Sequence, residues 1–549
     1  MKWIHGIFIG FFAFSLFAQD TQGFFLEQGF SPKRAQKPPY QWFSPPEGCT
    51  ALVVVNAKDT LAKVSKYIYG NNANIYTTQM ITQPTWIQYI RMLSPHILRY
   101  PGGNISNQFF WNAERGCPPN DVPDSLFFYG QLAPVEYWYG KSQDTLTLSV
   151  DNYYRMLKKT RSTGIICINY AYARYGTGPH PVQTAAHLAA EWVRYDRGRT
   201  RFWEIGNENY GPWQAGYLID STLNQEAQPR LISGELYGRH FLVFADSMRK
   251  AAREVGADIK IGAVIVELPR EKEWYNPVER DWNEGFFRTA GNAADFFSIH
   301  SYFTPYNENS NASEILESAS RETGRMMSYM KRMCQQYGVQ LKPIALTEWN
   351  IFAVGSKQQI SFINGLHAVL VLGECIRHQY GMAARWNLAN RYEGGNDHGM
   401  FNFGDEPGVP RWNPRPVFFT MYYFQRFFGD HMIRSEVLGP GDIVSFASRF
   451  HSGEIGVIVV NKGIQTQKVV ITFRNFTPGK RYYLYSLTGD TTNGEFSPRV
   501  WVNGVGPNYA TGGPIRDLER IPAWCGLVEK GIRFSSPPRS VQYILIENK

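Results

Sequence analysis

Eight short apolar runs, alternating with stretches of helical spacing, constrain this chain more than any other feature. The runs cover residues 67–70, 97–99, 164–169, 202–205, 258–264, 296–300, 343–347 and 383–386. Unbroken apolar runs of this length are expected of strands buried on both faces. Between them lie helix-compatible stretches such as 151–163, 237–255, 313–337 and 359–380. Strand–helix alternation needs crossover connections and hence a parallel sheet, and eight such units point to closure. The expected fold class is α/β: a (β/α)8 TIM barrel.

Past about residue 430 the pattern changes to short strands split by Gly, Asn and Thr turns, at 443–449, 455–461, 467–473, 481–486 and 541–546. This predicts a C-terminal all-β sandwich. The expected organisation is a signal peptide over 1–18, an N-terminal extension over 19–50, the catalytic barrel over 51–430 and the sandwich over 431–549. Residues 19–48 are rich in Pro, Gln and Gly, as a surface-wrapping segment would be. Residues 265–290 and 107–145 read as aromatic insertions over the strand ends.

In a barrel of this kind the C-terminal strand ends carry the chemistry. Glu208 follows the run 202–205 within Phe-Trp-Glu-Ile-Gly-Asn-Glu-Asn-Tyr-Gly-Pro-Trp, and Glu348 follows 343–347 within Thr-Glu-Trp-Asn. Two strand-tip carboxylates are what glycoside hydrolysis needs, about 5 Å apart for retention of configuration. A lone strand-end Glu would more often form a structural ion pair. Glu204, inside its strand, is expected to pair with Arg99 or His300. The same rule places Arg99, Asn104, Asn207, His300, Tyr302 and Trp386 on the catalytic face. His300 or Tyr302 is expected to orient Glu348, although a core histidine is nearly as natural. Trp213, Trp349, Trp386 and Trp412 are candidate sugar platforms, each of which could equally be packing. The polar loop 394–399 is a candidate border of the cleft or a candidate cation site, but its spacing fits no calcium loop. No metal and no cofactor are expected.

These motifs carry a resemblance. Residues 203–214 resemble the acid/base segment of glycoside hydrolase family 51, which includes α-L-arabinofuranosidases. Residues 347–350 resemble its nucleophile segment, and Arg-Tyr-Pro-Gly-Gly-Asn (99–104) its sugar-binding loop. The resemblance implies a retaining glycosidase with Glu208 as acid/base and Glu348 as nucleophile. It further implies a first strand (51–56) that joins the sandwich. Arg99, Asn104, Asn207, His300, Tyr302, Trp213, Trp349 and Trp386 are the candidate substrate-binding residues, of which only the 99–104 loop is carried by the resemblance. One departure stands out. The family's glutamate after the first barrel strand is replaced within Tyr-Gly-Asn-Asn-Ala-Asn (69–74), which puts the sugar of the nearest subsite in question.

Composition narrows the partners. The net charge of +9 is spread along 549 residues with no Lys/Arg block, which argues against nucleic acid. Lys2 followed by an apolar stretch and Ala18 reads as a secretory signal, so a secreted or periplasmic protein is expected, without membrane insertion. Six cysteines, none in a C-x-x-C pair, leave bridges open only for Cys49, Cys117 and Cys525. The expected partner is a polysaccharide or oligosaccharide. Two alternatives remain: an endo-acting glycanase on a β-glucan, algal or acidic glycan, and a non-catalytic carbohydrate-binding protein. Oligomeric state is not readable.

Overall fold

The computed structural model describes residues 30–270, 276–392, 397–490 and 494–549. Eight parallel strands close into a barrel: β1 (Gly70–Asn72), β2 (Ile97–Tyr100), β3 (Thr163–Ile168), β4 (Phe202–Ile205), β5 (Lys260–Val264), β6 (Phe296–Tyr302), β7 (Ile344–Asn350) and β8 (Met382–Arg385). Chain order is also spatial order, with β8 pairing β1 to complete the ring. Each crossover carries a helix whose apolar face lies on the barrel. Gly234–Glu254, for example, buries Tyr237, Phe241, Phe244 and Met248, a spacing of three to four residues that keeps them on one side.

The barrel floor is a sealed apolar layer. Ile97, Ile165, Phe202, Phe296, Ala345 and Met382, from six strands, form one buried cluster with Tyr67. Tyr67 explains a correction. The run 67–70 is not the first strand: Lys66–Ile68 is a 3-10 turn capped by Ser65, and the strand begins at Gly70. The aromatic run reads as a strand because its residues are buried, but Tyr67 is buried as the floor's plug.

A second correction concerns 265–290. Most of it is the crossover helix Pro277–Ala290, opened by Pro277 and by Asn276, whose side chain accepts from the Glu279 N–H. It buries Trp282, Phe286 and Phe287 against the barrel. The 107–145 insertion is irregular, as expected, and contains a hairpin of Ser125–Phe128 with Gln131–Pro134.

The C-terminal strands form an 11-stranded mixed sheet. The strand Ala51–Lys63 lies inside it, antiparallel to His431–Leu438 and parallel to Gln467–Arg474. Strand alternation gives the sheet two buried faces. Along Ser540–Asn548, Ile544 and Ile546 enter the sheet's own core with Val457, Val459 and Phe534. Tyr543 and Leu545 face the other way, where Tyr543 meets Tyr423 of the helix Pro416–Phe427. The extension adds an edge strand, Tyr40–Trp42, parallel to Ala523–Leu527. All six cysteines are free thiols, and Cys525 lies buried in a strand rather than in a loop. Among the described residues no helix is long and apolar enough to cross a membrane.

Candidate active site

Two residues above the floor, the same strands turn polar. Arg99 is fully buried and every N–H of its guanidinium has an acceptor. Nε donates to Glu204 Oε2 at 2.5 Å, Nη1 to Glu348 Oε1 at 2.8 Å and Asn72 Oδ1 at 3.1 Å, and Nη2 to Asn207 Oδ1 at 2.8 Å and, at 3.9 Å, to the Cys167 thiol. Arg99 thus joins four strands and holds one oxygen of each of two glutamates. Glu204 is its structural partner, as expected, and Glu348 shares what charge is left.

A bulge in β7 sets up the next layer. Pairing with β6 steps from Ile299–Leu346 to His300–Glu348, leaving Thr347 as the extra residue. Consecutive side chains, Thr347 and Glu348, therefore both point into the barrel mouth. Thr347 continues a chain of hydrogen bonds whose direction can be worked out from its anchored end. Ser298 Oγ donates to Glu204 Oε1 at 2.5 Å, so Thr347 must donate to Ser298, also at 2.5 Å. Thr347 can then only accept from His300 Nε2, at 3.1 Å. This places a proton on Nε2 and turns Nδ1 toward the carboxyls. Nδ1 is 2.9 Å from Glu208 Oε1 and 3.7 Å from Glu348 Oε2.

Glu208 reaches this point from the loop after β4. Gly206 turns the chain at φ +92, and a Cβ there would fall 2.0 Å from Asn209 Oδ1. Glu208 itself sits at φ +46, a conformation uncommon outside glycine. Its Oε2 accepts from Trp213 Nε1 at 2.8 Å and from Gln214 Nε2 at 3.3 Å. Gln214 also donates to Asn104 at 2.7 Å and accepts from Asn107 at 2.7 Å. On Glu348, Tyr302 donates to Oε2 at 3.1 Å. Glu208, His300 and Glu348 each offer one atom within 4.8 Å of the others. Among the described residues these three are also the side chains whose spacing would admit a metal ion.

Electrostatics separate the carboxyls. Burial raises Glu204, but Arg99, His300 and Ser298 outweigh it and hold the group below its ordinary range, as an anion. Burial raises Glu208 too, yet the His300 hydrogen bond and charge, with Trp213 and Arg99, bring it below the ordinary value. Glu348 is raised: burial and the charge of Glu208 prevail over His300 and Arg99, whose charge Glu204 already largely balances. Burial lowers His300, but the two carboxylates outweigh it and raise the imidazole above its ordinary value. The two carboxyls thus sit in different surroundings, Glu208 held by hydrogen-bond donors and Glu348 pushed up by burial and by the charge of Glu208.

Glu208, Glu348, Arg99, Asn207, His300, Tyr302, Trp213 and, through Gln214, Asn104 converge here. Trp386 is half-buried against the 99–104 loop, where a Cβ on Gly103 would come within 2.5 Å of its ring. Trp349, read as a possible platform, is instead fully buried in the main apolar core, because the bulge gives the inward position to Glu348 and leaves its neighbour on the other face of the strand. Trp412 is likewise core, stacked on Trp86 at 4.0 Å. Of loop 394–399, residues 394–396 lie outside the described residues. Sequence reasoning missed Ser298 and Thr347. It also missed Tyr76, whose hydroxyl accepts from Asn74 Nδ2 and from Asn387 Nδ2 (the latter at 3.3 Å) and feels the charge of Glu348.

No known family's sequence profile matches the chain. It aligns with an intracellular exo-alpha-(1->5)-L-arabinofuranosidase of Streptomyces lividans at 26% identity over 290 residues, 50% of this chain and 38% of that one. An enzyme of the same name from Acetivibrio thermocellus aligns at 23% identity over 228 residues, 40% of this chain and 38% of that one. The alignments thus span less than two fifths of each relative. In fold, a GH51 α-L-arabinofuranosidase from Thermotoga petrophila superposes with a TM-score of 0.63 at 18% identity, covering 90% of this chain and 100% of that one. The expectation of a secreted or periplasmic protein is overturned, because both bacterial relatives are named intracellular. The segment read as a signal, 1–18, lies outside the described residues. In fold over nine tenths of its length, and in sequence over about half of it, the chain resembles the α-L-arabinofuranosidases of glycoside hydrolase family 51.

Proposed function

We propose that this chain is a glycoside hydrolase that works by double displacement, with Glu348 as nucleophile and Glu208 as acid/base. The observation that carries the reading is the close approach of Glu208, His300 and Glu348, one atom from each lying within 4.8 Å of the others. Retaining glycosidases hold their carboxyls about 5–5.5 Å apart, and inverting ones wider to admit a water. In the first step Glu348 attacks the anomeric carbon as Glu208 gives its proton to the departing oxygen. In the second, Glu208 takes a proton from water, which attacks the same carbon and releases Glu348. Arg99 and Tyr302 hold the two Glu348 oxygens. The amide Nδ2 of Asn207 is buried without a protein partner, suited to a sugar hydroxyl beside the reacting carbon.

His300 stands between the two carboxyls, 2.9 Å from Glu208 and 3.7 Å from Glu348. Its Nδ1 faces both carboxyls, so it can accept a proton from Glu348 and pass it to Glu208. Positive charge developing on the sugar then favours the Glu348 anion. The wire anchored at Glu204 keeps Nε2 protonated throughout and so keeps Nδ1 available.

The substrate reading is a terminal α-L-arabinofuranosyl group, by likeness to the relatives. One observation favours a second reading, an endo-acting glycanase. Asn74 offers an amide bonded to Tyr76, with Oδ1 buried and unpaired, where the resembled family has a carboxylate.

The test is hydrolysis of 4-nitrophenyl α-L-arabinofuranoside, arabinan, xylan and β-glucan by wild type, Glu348→Ala and Glu208→Ala, with the product anomer followed by NMR. Arabinose released with retention, and lost in both variants, is the expected result. Polysaccharide cleavage without activity on the aryl substrate moves the reading to the glycanase. Activity surviving both substitutions, or inversion of configuration, overturns it.

A further inference from the structure

Tyr129 occupies a position where tyrosine is out of place. It is the first residue of the two-residue loop joining Ser125–Phe128 to Gln131–Pro134, and both loop residues have positive φ, +51 at Tyr129 and +78 at Gly130. Hairpin loops of this shape favour Asn or Gly, because a bulky side chain is strained there. The strained tip is tied to the acid loop: the Tyr129 N–H donates to Pro212 O at 2.6 Å, four residues beyond Glu208. Yet the residue is 68% exposed. Strain kept in place to hold an exposed aromatic ring points to a use for that ring.

A second exposed ring follows strand β6. Tyr306, in the turn after β6, is 75% exposed. It meets Phe352 edge-on at 5.0 Å, and Phe352 stacks flat on Tyr302 at 4.2 Å. Tyr302 in turn bonds Glu348, so a file of rings runs from the proposed nucleophile out to solvent. The two exposed tyrosines feel each other electrostatically. Partial burial, then the Tyr306 hydroxyl and the Glu208 carboxylate, raise the Tyr129 phenol above its ordinary value.

We propose that Tyr129 and Tyr306 form an aromatic clamp for the sugar on the leaving-group side of the scissile bond, so that the site takes a glycan chain rather than a single capped sugar. This rests on the hydrolase reading above, in which Glu208 protonates the departing oxygen. The leaving sugar must then lie at the mouth between Glu208 and solvent, bordered by the Tyr129 tip on the acid loop and by the ring file that ends at Tyr306. Sugar C–H faces are apolar and stack on aromatic rings, and two tyrosines carry no charge to select against a neutral chain.

The test uses the full chain with Glu348→Ala, which binds without turnover, titrated by calorimetry with linear arabino-, xylo- and gluco-oligosaccharides of two to five units. In one series affinity should rise by about tenfold, ~1.4 kcal/mol, between two and four units. Tyr129→Ala or Tyr306→Ala should remove most of that rise, and Tyr129→Phe or Tyr306→Phe should keep it, because the ring face and not the hydroxyl makes the contact. The clamp is wrong if no series gains affinity with length, or if the gain survives both alanine substitutions. It is also wrong if the phenylalanine variants lose as much as the alanine ones. Turnover is measured separately on the wild type. Length-dependent binding that needs both rings, with no glycan hydrolysed, keeps the clamp and removes the hydrolase reading. Hydrolysis indifferent to both rings does the opposite.

Discussion

The floor of the barrel and the layer two residues above it are built on the same strands, and they could hardly differ more. Ile97, Ile165, Phe202, Phe296 and Ala345 close the floor. Arg99, Cys167, Glu204, Ser298 and Thr347 stand over them in the same strand order, linked around Arg99 and Glu204. Side chains two apart on a strand share a face, so each strand sends one apolar and one polar residue into the same interior. The floor stabilises by burial alone. The upper layer, with Glu208 and Glu348 just above it, takes three carboxyls and an arginine out of water, which costs stability unless every group is paired. The floor makes a fold, while the layer above it keeps charges in an order that chemistry can use.

Breaking the comparison at its chemical end should have the largest effect. Glu348→Ala should lower kcat by about four orders of magnitude or more, while the thermal midpoint stays level or rises, because a buried and unfavourably placed carboxyl is removed. Calorimetry beside kinetics reads both. Arg99→Met should hurt both columns: Glu204 would be left as a buried unpaired anion, at about 3–5 kcal/mol in denaturant unfolding, with activity lost as well. Phe202→Ala tests the floor alone. It should cost about 3–5 kcal/mol of stability and leave the shape of the pH–rate profile as it was. A shifted profile in that variant would mean that the two layers are not separable.

The pH profile sharpens the comparison further. As the proposed nucleophile Glu348 must be ionised, and burial raises it, so activity should climb through a pH above the ordinary carboxylate value of 4.5. The proton shared by Glu208 and His300 must be present, and His300 is raised, so activity should fall only above 6.5. His300→Gln should lower kcat/KM by about a hundredfold and bring the alkaline limb to lower pH. An unmoved limb would exclude the proton-passing role. The smallest effect should come from Ile97→Val, about 1 kcal/mol of stability with unchanged kinetics.

Much of this was legible in the sequence because it depends on local pattern. Runs of buried residues announced seven of the eight strands nearly in place, and the strand-end rule brought Arg99, Glu208, His300, Tyr302 and Glu348 to one face. A basic partner for Glu204, Arg99 or His300, followed from an acid inside a buried strand, and the tertiary structure chose Arg99. What failed depended on contacts distant in the chain. Tyr67 looked like a strand residue because hydrophobicity reports burial and not the element that achieves it. Trp349 looked like a platform because the bulge that turns it into the core is a property of strand pairing. Tyr76 and Asn387 are 311 residues apart, and no spacing rule links them.

The sequence by itself determined the alternation that makes a closed parallel barrel and the two glutamates at its mouth, since periodicity and strand ends are written along the chain. Only the tertiary structure decided which way protons point. The wire from Glu204 through Ser298 and Thr347 to His300 spans three strands, and its direction exists only once the bulge at Thr347 brings those groups within hydrogen-bond distance. Hydrogen bonding is short-ranged and directional, so an order of protons cannot be read before the strands that carry it are side by side.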